Sequence, residues 1–294
     1  MASSHQHTLA APTIFAGVGL HTGRRVRAAI VPAQAGVGVV FVRTDLGGKT
    51  IPARADHVVN TRLNTVLGDG SGAMVSTVEH LMAALAALEI DNVLIELDGP
   101  EVPIMDGSAK PFVQLIEHVG RRRQEAPRQY LEVLAPIEVC DGERSARLCP
   151  ASRLELALEI DFDSPVIGRQ RIELALDETS FRAELAEART FGFLHEVEAL
   201  RAAGLALGGS LENAVVVAGE GVLNPEGLRS RDQFVRHKAL DALGDLYLLG
   251  HPLIGRYEGV CAGHALNNAL ARELLARPDA WRLRAAEPDL AQAV

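Results

Sequence analysis

The charged stretch GRRRQEAPRQ, residues 120–129, is the clearest change of composition along the chain. It contains a proline and lies between a segment with helical periodicity and residues 130–139, which alternate like a strand. We interpret it as a linker that separates a domain at 1–126 from a domain at 127–294, each of ordinary size. The alternative is a long surface loop within a single domain.

Both halves are predicted to mix strands and helices. The predicted strands cover residues 39–43, 93–98, 154–162 and 170–176, and the predicted helices cover 76–89, 232–249 and 268–276. Because runs of strands are separated by paired helices, the pattern predicts an α+β fold with mainly antiparallel sheets. The glycine-rich fingerprints of the two commonest nucleotide-binding folds are absent from the sequence.

The composition excludes several classes of protein. The 294 residues include 29 Lys and Arg against 38 Asp and Glu, so the net charge of −9 argues against nucleic acid as a partner. No apolar run approaches the roughly 18 residues of a transmembrane helix. Three cysteines suit neither a disulfide framework nor a zinc ribbon. The N-terminus lacks the basic start of a signal peptide, so we expect a cytoplasmic protein.

The segment STVEHLM, residues 76–82, has apolar residues at helical spacing and an adjacent Glu79 and His80. A carboxylate next to a metal-binding histidine can act as a base in zinc hydrolases. The structural alternatives are a capping box between Ser76 and Glu79 and a half-buried, hydrogen-bonded His80.

The segment DQFVRHKALDALGDLYLL, residues 232–249, is apolar around most of a helix, as in a buried helix. His237 and Asp241 are four residues apart and therefore share one face, with Asp245 one turn further and Lys238 beside it. Buried charges are costly unless they are paired or bound to a metal. A surface stripe of ion pairs is the alternative.

Three further segments carry candidate residues. In GHALNN, residues 263–268, we expect His264 on a loop before a helix, presented into a cleft. In GVGLHTG, residues 17–23, three glycines indicate a tight turn. In ARTFGF, residues 188–193, a hydroxyl and two aromatic rings surround a glycine. Two histidines and one aspartate would complete a catalytic zinc site with an open position, which the sequence permits without proving.

These segments together resemble the UDP-3-O-acyl-N-acetylglucosamine deacetylases, the zinc amidases that commit Gram-negative bacteria to lipid A synthesis. The resemblance runs in order from about residue 17 to about residue 275 and includes STVEHLMAALAALEIDNVLIELDGPEVPIMDGSA, GGSLENAVVV and FVRHKALDALGDLYLLGHPLIG. It implies two α+β domains of similar topology, with paired helices packed between two sheets.

The resemblance also implies a role for individual residues. The metal ligands would be His80, His237 and Asp241, holding one Zn²⁺ per chain, with Fe²⁺ as an alternative. The catalytic residues would be Glu79 as general base, His264 as acid or electrostatic stabiliser, Thr190 as oxyanion donor and Asp245 as the carboxylate that orients the histidine. The substrate contacts would be Lys238, Phe191, Asp161 and Phe162, with Leu194, Val197, Leu211, Ala214 and Val216 lining an acyl passage in an insert near 191–220.

Two positions depart from the family pattern. Cys261 and Ala262 stand where a Lys-Ser pair is common, and Asn64 stands where a cysteine is frequent. The implied activity is hydrolysis of the N-acetyl group of an acylated UDP-sugar by a monomer. A zinc amidase for another N-acetylated sugar and a metal-free sugar-nucleotide binding protein are the alternatives.

Overall fold

The computed structural model describes residues 3–286. Within this range the helices are α1 (Glu79–Ala87), α2 (Lys110–Val119), α3 (Glu178–Ser180), α4 (Leu194–Ala202), α5 (Gln233–Tyr247) and α6 (His264–Ala276). The strands up to residue 127 are β1 (His5–Leu9), β2 (Thr13–Val18), β3 (Arg25–Pro32), β4 (Val39–Arg43), β5 (Lys49–Pro52), β6 (Val58–Asn60), β7 (Val66–Gly68), β8 (Met74–Ser76), β9 (Val93–Leu97) and β10 (Arg121–Pro127). The later strands are β11 (Gln129–Val133), β12 (Ile137–Asp141), β13 (Arg144–Cys149), β14 (Leu154–Asp161), β15 (Arg169–Ala175), β16 (Phe191–Phe193), β17 (Val215–Ala218), β18 (Gly221–Val222), β19 (Leu253–Val260) and β20 (Trp281–Ala285).

The largest sheet of the first half has five strands in the order β2-β3-β9-β4-β5, and β6-β7-β8 form a smaller sheet. The central strand β9 is antiparallel to β3 and parallel to β4. Its alternating residues Val93, Ile95 and Leu97 are fully buried, so one face of the sheet points into the core.

A second sheet repeats this arrangement in the second half. Its strands follow the order β12-β13-β19-β14-β15. Strand β19 is antiparallel to β13 and parallel to β14, just as β9 is antiparallel to β3 and parallel to β4. Strands β11 and β20 extend this sheet beyond β19. The α+β class predicted from the sequence is therefore confirmed, with one sheet topology used twice.

Helices α1, α2, α5 and α6 lie between the two sheets. Helix α2 contacts β2 and α1, α1 packs along α5, and α5 contacts α6 and strands β14 and β15. Eight of the nine residues of α1 and thirteen of the fifteen residues of α5 are buried, so both are core helices. Gly244 lies at the crossing, where a Cβ would stand 2.0 Å from the carbonyl oxygen of Glu79. The missing side chain lets the two backbones approach closely.

The segment interpreted as a linker has regular structure. Residues Arg121–Pro127 form β10, which pairs antiparallel with β1 at the start of the chain, so they are neither a loop nor an irregular connection. The following residues 130–139 contain parts of two strands, β11 and β12, rather than one. The division into domains 1–126 and 127–294 stays a prediction. Among the described residues, no helix combines the length and apolar character needed to cross a membrane.

Candidate active site

Two histidines and an aspartate from different halves of the chain meet at the α1–α5 contact. His80 comes from the first turn of α1, and His237 and Asp241 come from one face of α5. Their ligand atoms all lie within 4.8 Å of one another. Asp241 Oδ1 lies 3.5 Å from His80 Nε2 and 3.4 Å from His237 Nε2. We call His80, His237 and Asp241 the metal-type cluster, because side chains of these types can hold a metal ion together. Residues 3–286 contain no second group of this kind.

The chemistry of these three side chains fits a divalent metal ion. His237 Nδ1 lies 3.0 Å from the Ala188 carbonyl, which accepts a hydrogen bond from it and leaves the Nε2 lone pair facing the cluster. Burial lowers the pKa of His237 to about 3, so the ring is neutral as a ligand must be. Asp241 Oδ1 is buried without a hydrogen-bond partner. Burial opposes its ionisation, but the neighbouring Lys238 ammonium helps to hold the pKa of Asp241 well below its usual range.

Both structural alternatives for these residues are wrong. His237, Asp241 and Asp245 are at most 3% exposed, so they do not form a surface stripe. Helix α1 begins at Glu79, with Val78 at its N-cap and no side-chain cap, so Ser76 and Glu79 do not form a capping box.

The Glu79 carboxylate instead faces the metal-type cluster. Its Oε2 accepts a hydrogen bond of 3.1 Å from the backbone N–H of Thr65, and its Oε1 lies 3.9 Å from His264 Nε2. Glu79 is 3% exposed, and this burial raises the pKa of its carboxyl, against the opposing influence of His264 and His80. A carboxylate with a raised pKa is suited to accept a proton near neutral pH.

His264 lies beside Glu79 and is paired with Asp245. It is the first residue of α6, so the expectation of a loop position is wrong. Its Nδ1 lies 2.8 Å from Asp245 Oδ2, and its Nε2 points toward the cluster, 4.0 Å from Asp241 Oδ2. Burial alone would lower the pKa of His264, but the Asp245 carboxylate raises it to about 9. The ring is therefore protonated at neutral pH.

Two residues that sequence reasoning missed complete this pair. The Thr65 hydroxyl donates to Asp245 Oδ1 at 2.5 Å, and the side-chain amide of Asn267 donates to Asp245 Oδ2 at 2.9 Å. Asn267 is held in turn by the Tyr257 hydroxyl at 2.5 Å. Thr65 comes from a segment far from α5 and α6 in sequence, so no local pattern marks it. Asn267 lies in the segment GHALNN, residues 263–268, and its closeness to His264 in sequence could have marked it.

Thr190 is held beside the cluster by its backbone. Its N–H donates to the Gly107 carbonyl, and its own carbonyl accepts from Val215 N–H, both at 2.8 Å. Residues on both sides of it contact His237: Ala188 through its carbonyl, and Phe191 through its ring at 6.3 Å. The structure therefore places Thr190 in the segment that contacts His237.

Three of the four residues assigned to the sugar nucleotide form a chain of contacts from the cluster. Lys238 Nζ lies 2.6 Å from Asp241 Oδ2 and 5.9 Å from the centre of the Phe191 ring. Phe162 meets Phe191 edge to face at 5.7 Å. The fourth residue, Asp161, precedes Phe162 at the end of β14 and is exposed.

The predicted acyl insert forms a strand–helix–strand unit of β16, α4 and β17, in which β16 and β17 are parallel. The apolar side chains assigned to it are all at least partly accessible: Leu194 is 46% and Leu211 37% exposed, and Val197, Ala214 and Val216 are half-buried. Such a row of accessible apolar side chains is suited to bind a hydrocarbon chain.

The glycine-rich turn at 17–23 connects this insert to the site. Leu207 N–H donates to the His21 carbonyl at 3.1 Å. The buried carboxylate of Glu101, which sequence reasoning missed, accepts hydrogen bonds from the backbone N–H groups of His21 and Thr22 and from the Thr77 hydroxyl. Thr77 has a φ of +56° and lies two residues before Glu79. One carboxylate thus fixes both the turn and the start of α1.

The two positions that depart from the family pattern lie close in sequence to residues of the site, Asn64 before Thr65 and Cys261 before His264. Cys261 has a φ of +47° and its N–H donates to the Glu159 carbonyl, at the end of β19 just before His264. Asn64 is buried, with its side-chain amide 2.9 Å from the Thr77 hydroxyl.

Comparison with known proteins agrees with this geometry. The family described as "LpxC: UDP-3-O-acyl N-acetylglycosamine deacetylase" matches residues 6–276. The UDP-3-O-acyl-N-acetylglucosamine deacetylase of Phenylobacterium zucineum (strain HLK1) is 61% identical over 291 residues, which cover 98% of this chain and 99% of the relative. The protein of the same name from Acidithiobacillus ferrooxidans (strain ATCC 53993 / BNL-5-31) is 54% identical over 90% of this chain and 88% of the relative. The one from Syntrophotalea carbinolica (strain DSM 2380 / NBRC 103641 / GraBd1) is 50% identical over 95% and 90%. Because both the family match and these relatives cover most of the chain, the chain belongs to the UDP-3-O-acyl-N-acetylglucosamine deacetylase family of amide hydrolases.

Proposed function

We propose that this protein removes the acetyl group from UDP-3-O-acyl-N-acetylglucosamine, giving acetate and UDP-3-O-acyl-glucosamine, the committed step of lipid A biosynthesis. The observation that carries the proposal is the convergence of His80, His237 and Asp241 with Glu79 and His264 in one buried cluster. A group of metal-binding side chains with a carboxylate base and a protonated histidine next to it is suited to hydrolyse an amide.

The metal we propose is one zinc ion per chain, with ferrous iron as the alternative. Two imidazoles and one carboxylate without a thiolate form the ligand set of catalytic zinc sites, which keep a further position open. Zinc held there would polarise the acetamide carbonyl and make water more acidic.

The remaining steps belong to the side chains of the protein. Glu79 accepts a proton from the attacking water, for which its raised pKa suits it. The hydroxyl of Thr190 donates a hydrogen bond to the oxyanion that develops from the amide carbonyl. His264, kept protonated by Asp245, donates a proton to the departing amine. One proton is taken from water and one is given to nitrogen, so acetate and the free amine result.

Recognition of the substrate is assigned to the residues around this cluster. Lys238 and Phe191 contact the sugar nucleotide close to Asp241, and Asp161 and Phe162 lie further out, toward the uracil. The accessible leucines of the insert, Leu194 among them, support binding of the 3-O-acyl chain. Each methylene buried on binding contributes about 0.8 kcal/mol, so five of them contribute about 4 kcal/mol, or roughly a thousandfold in kcat/KM.

The test compares acetate release from UDP-3-O-acyl-N-acetylglucosamine and from UDP-N-acetylglucosamine, each with and without a chelator. We expect activity with the acylated substrate alone, loss with chelator and recovery when zinc is added back. Equal turnover of the two substrates would favour an amidase for another N-acetylated sugar. Full activity without metal would contradict the ligand assignment. That the protein is a cytoplasmic monomer stays a prediction.

A further inference from the structure

The buried residue Thr65 touches three of the side chains to which the proposed reaction gives a role. We propose that Thr65 is a positioning residue, which holds the base Glu79 and, through Asp245, the acid His264 in their working orientations. Thr65 is 1% exposed and lies between β6 and β7, immediately before β7. The inference rests on the proposed function, because it concerns the geometry of those proposed catalytic groups.

The first contact determines which oxygen of Glu79 faces the site. The Thr65 N–H donates to Oε2 at 3.1 Å, so this oxygen is occupied. The other oxygen, Oε1, is the one that lies 3.9 Å from His264 Nε2. A carboxylate anchored by one oxygen keeps its second oxygen in a fixed direction, which general-base catalysis requires.

The second contact fixes the carboxylate of Asp245. The Thr65 hydroxyl donates to Oδ1 at 2.5 Å, while Oδ2 is 2.8 Å from His264 Nδ1 and 2.9 Å from the Asn267 amide. With both oxygens held, the carboxylate cannot rotate about its last torsion angle. Asp245 is 2% exposed, so the hydroxyl is not readily replaced by solvent. The His264 ring, which lies 3.3 Å from the Thr65 oxygen, therefore takes its orientation from this pair.

The segment that carries Thr65 is itself anchored. The preceding Asn64 is 6% exposed, with its side-chain amide 2.9 Å from the Thr77 hydroxyl, and Thr77 is held by Glu101. Thr65 is 14 residues from Glu79 but 180 residues from Asp245. One residue thus ties a catalytic group on α1 to another on α5, across the contact between the halves.

The competing explanation is that Thr65 is an ordinary buried threonine whose hydroxyl only needs a partner. The two explanations differ in what the hydroxyl affects. A positioning role predicts a loss in kcat with little change in KM, since the hydroxyl orients reacting groups rather than substrate. It also predicts that serine, which keeps the hydroxyl, restores the activity that valine loses.

The experiment compares Thr65→Val, which removes the hydroxyl at nearly constant shape, with Thr65→Ser. We expect Thr65→Val to lower kcat by about 10- to 100-fold, with KM within about threefold of wild type and with unchanged zinc content, while Thr65→Ser keeps kcat within about threefold. A Thr65→Val enzyme with wild-type kcat overturns the proposal, as does a Thr65→Ser enzyme that loses as much as Thr65→Val. If Thr65→Val does not fold, Thr65→Ala takes its place. If neither variant folds, the hydroxyl is needed for folding, and this result also overturns the positioning role.

A double-mutant cycle with His264→Ala tests the path of the effect. Because the hydroxyl acts through Asp245 on His264, adding Thr65→Val to His264→Ala should lower the remaining activity by less than about twofold. An undiminished loss in that background overturns the proposal. The single variants distinguish a failure of the proposed function from a failure of the role of Thr65. Activity retained in both Glu79→Gln and His264→Ala contradicts the proposed function, whereas inactive single variants beside a fully active Thr65→Val contradict only the role of Thr65.

Discussion

Replacing Gly244 by alanine should disrupt catalysis far more than folding. Gly244 lies in α5 where this helix crosses the first residue of α1. A Cβ at this position would stand 2.0 Å from the carbonyl oxygen of Glu79, 2.8 Å from its carbonyl carbon and 3.0 Å from its Cα. All three atoms are backbone atoms, so no side chain can rotate away. The helices must separate by about 1 Å for the methyl group to reach a tolerable distance of 3.0 Å.

The effect on stability is the difference of two opposing contributions. Alanine in a helix interior is more favourable than glycine by about 1 kcal/mol. Overpacking a core costs about 1 to 3 kcal/mol. The free energy of unfolding should therefore fall by no more than about 2 kcal/mol.

The effect on activity has no such compensation. Glu79 and His80 are carried by α1, while His237 and Asp241 are carried by α5, so separating the helices separates the base and one metal ligand from the other two ligands. Misplacement of reacting groups by about 1 Å costs about 100-fold in rate. We expect kcat/KM to fall by at least about that factor and zinc affinity to fall with it.

The assay measures kcat/KM, zinc content and the thermal midpoint of Gly244→Ala beside Gly221→Ala. A Cβ at Gly221 meets nothing within 4 Å, so this control adds the same methyl group in open space. It should behave as wild type. If Gly244→Ala keeps kcat/KM within about threefold of wild type, the close approach of the helices does not position the site and the reasoning is refuted.

Three further predictions concern single side chains. Glu79→Gln should keep zinc but lose about 100-fold or more in kcat, because an amide cannot accept the proton from water, and near-normal turnover would exclude Glu79 as the base. His237→Ala should lose zinc affinity whereas His264→Ala should keep it, as measured by metal content after dialysis, and equal losses would contradict the separation of ligand from acid. The Asp245 carboxylate raises the pKa of His264 to about 9, so activity should fall as the pH rises through that value and the ring loses its proton. Asp245→Asn should therefore shift the alkaline limb of kcat/KM to lower pH, and a limb at an unchanged pH would argue against His264 as the titrating acid.

Local patterns predicted the regular elements well where one periodicity dominates. The predicted strand at 39–43 coincides with β4, and the predicted helix at 232–249 contains all of α5. Errors arose where the pattern continues through a turn, as at 130–139, where the intervening residues include Pro136 between β11 and β12. At 120–129 the charged residues lie on β10, which pairs with β1 and has no buried residue, so no apolar alternation marks it as a strand.

In the candidate site, too, the sequence pointed to residues related by local spacing and missed those related by long-range contacts. His237 and Asp241 became candidates from their spacing on one helix, and Glu79 and His80 from their adjacency, because these relations are local. Thr65 could not, because its role comes from a contact between residues 180 positions apart. A hydroxyl has no periodic signature, and its partner is determined only once the two halves have met.

The division of the metal ligands between the two halves has a consequence during synthesis of the protein. A ribosome releases His80 early, within a half that contains one of the three ligands, and the other two follow only when α5 has been made. Until α5 has been made, an emerging chain therefore offers only one of the three side chains of this cluster, too few to hold an ion there. Binding of the proposed metal ion at this cluster must wait until α5 has been translated and has docked against α1, so a polypeptide that ends before α5 lacks the assembled site.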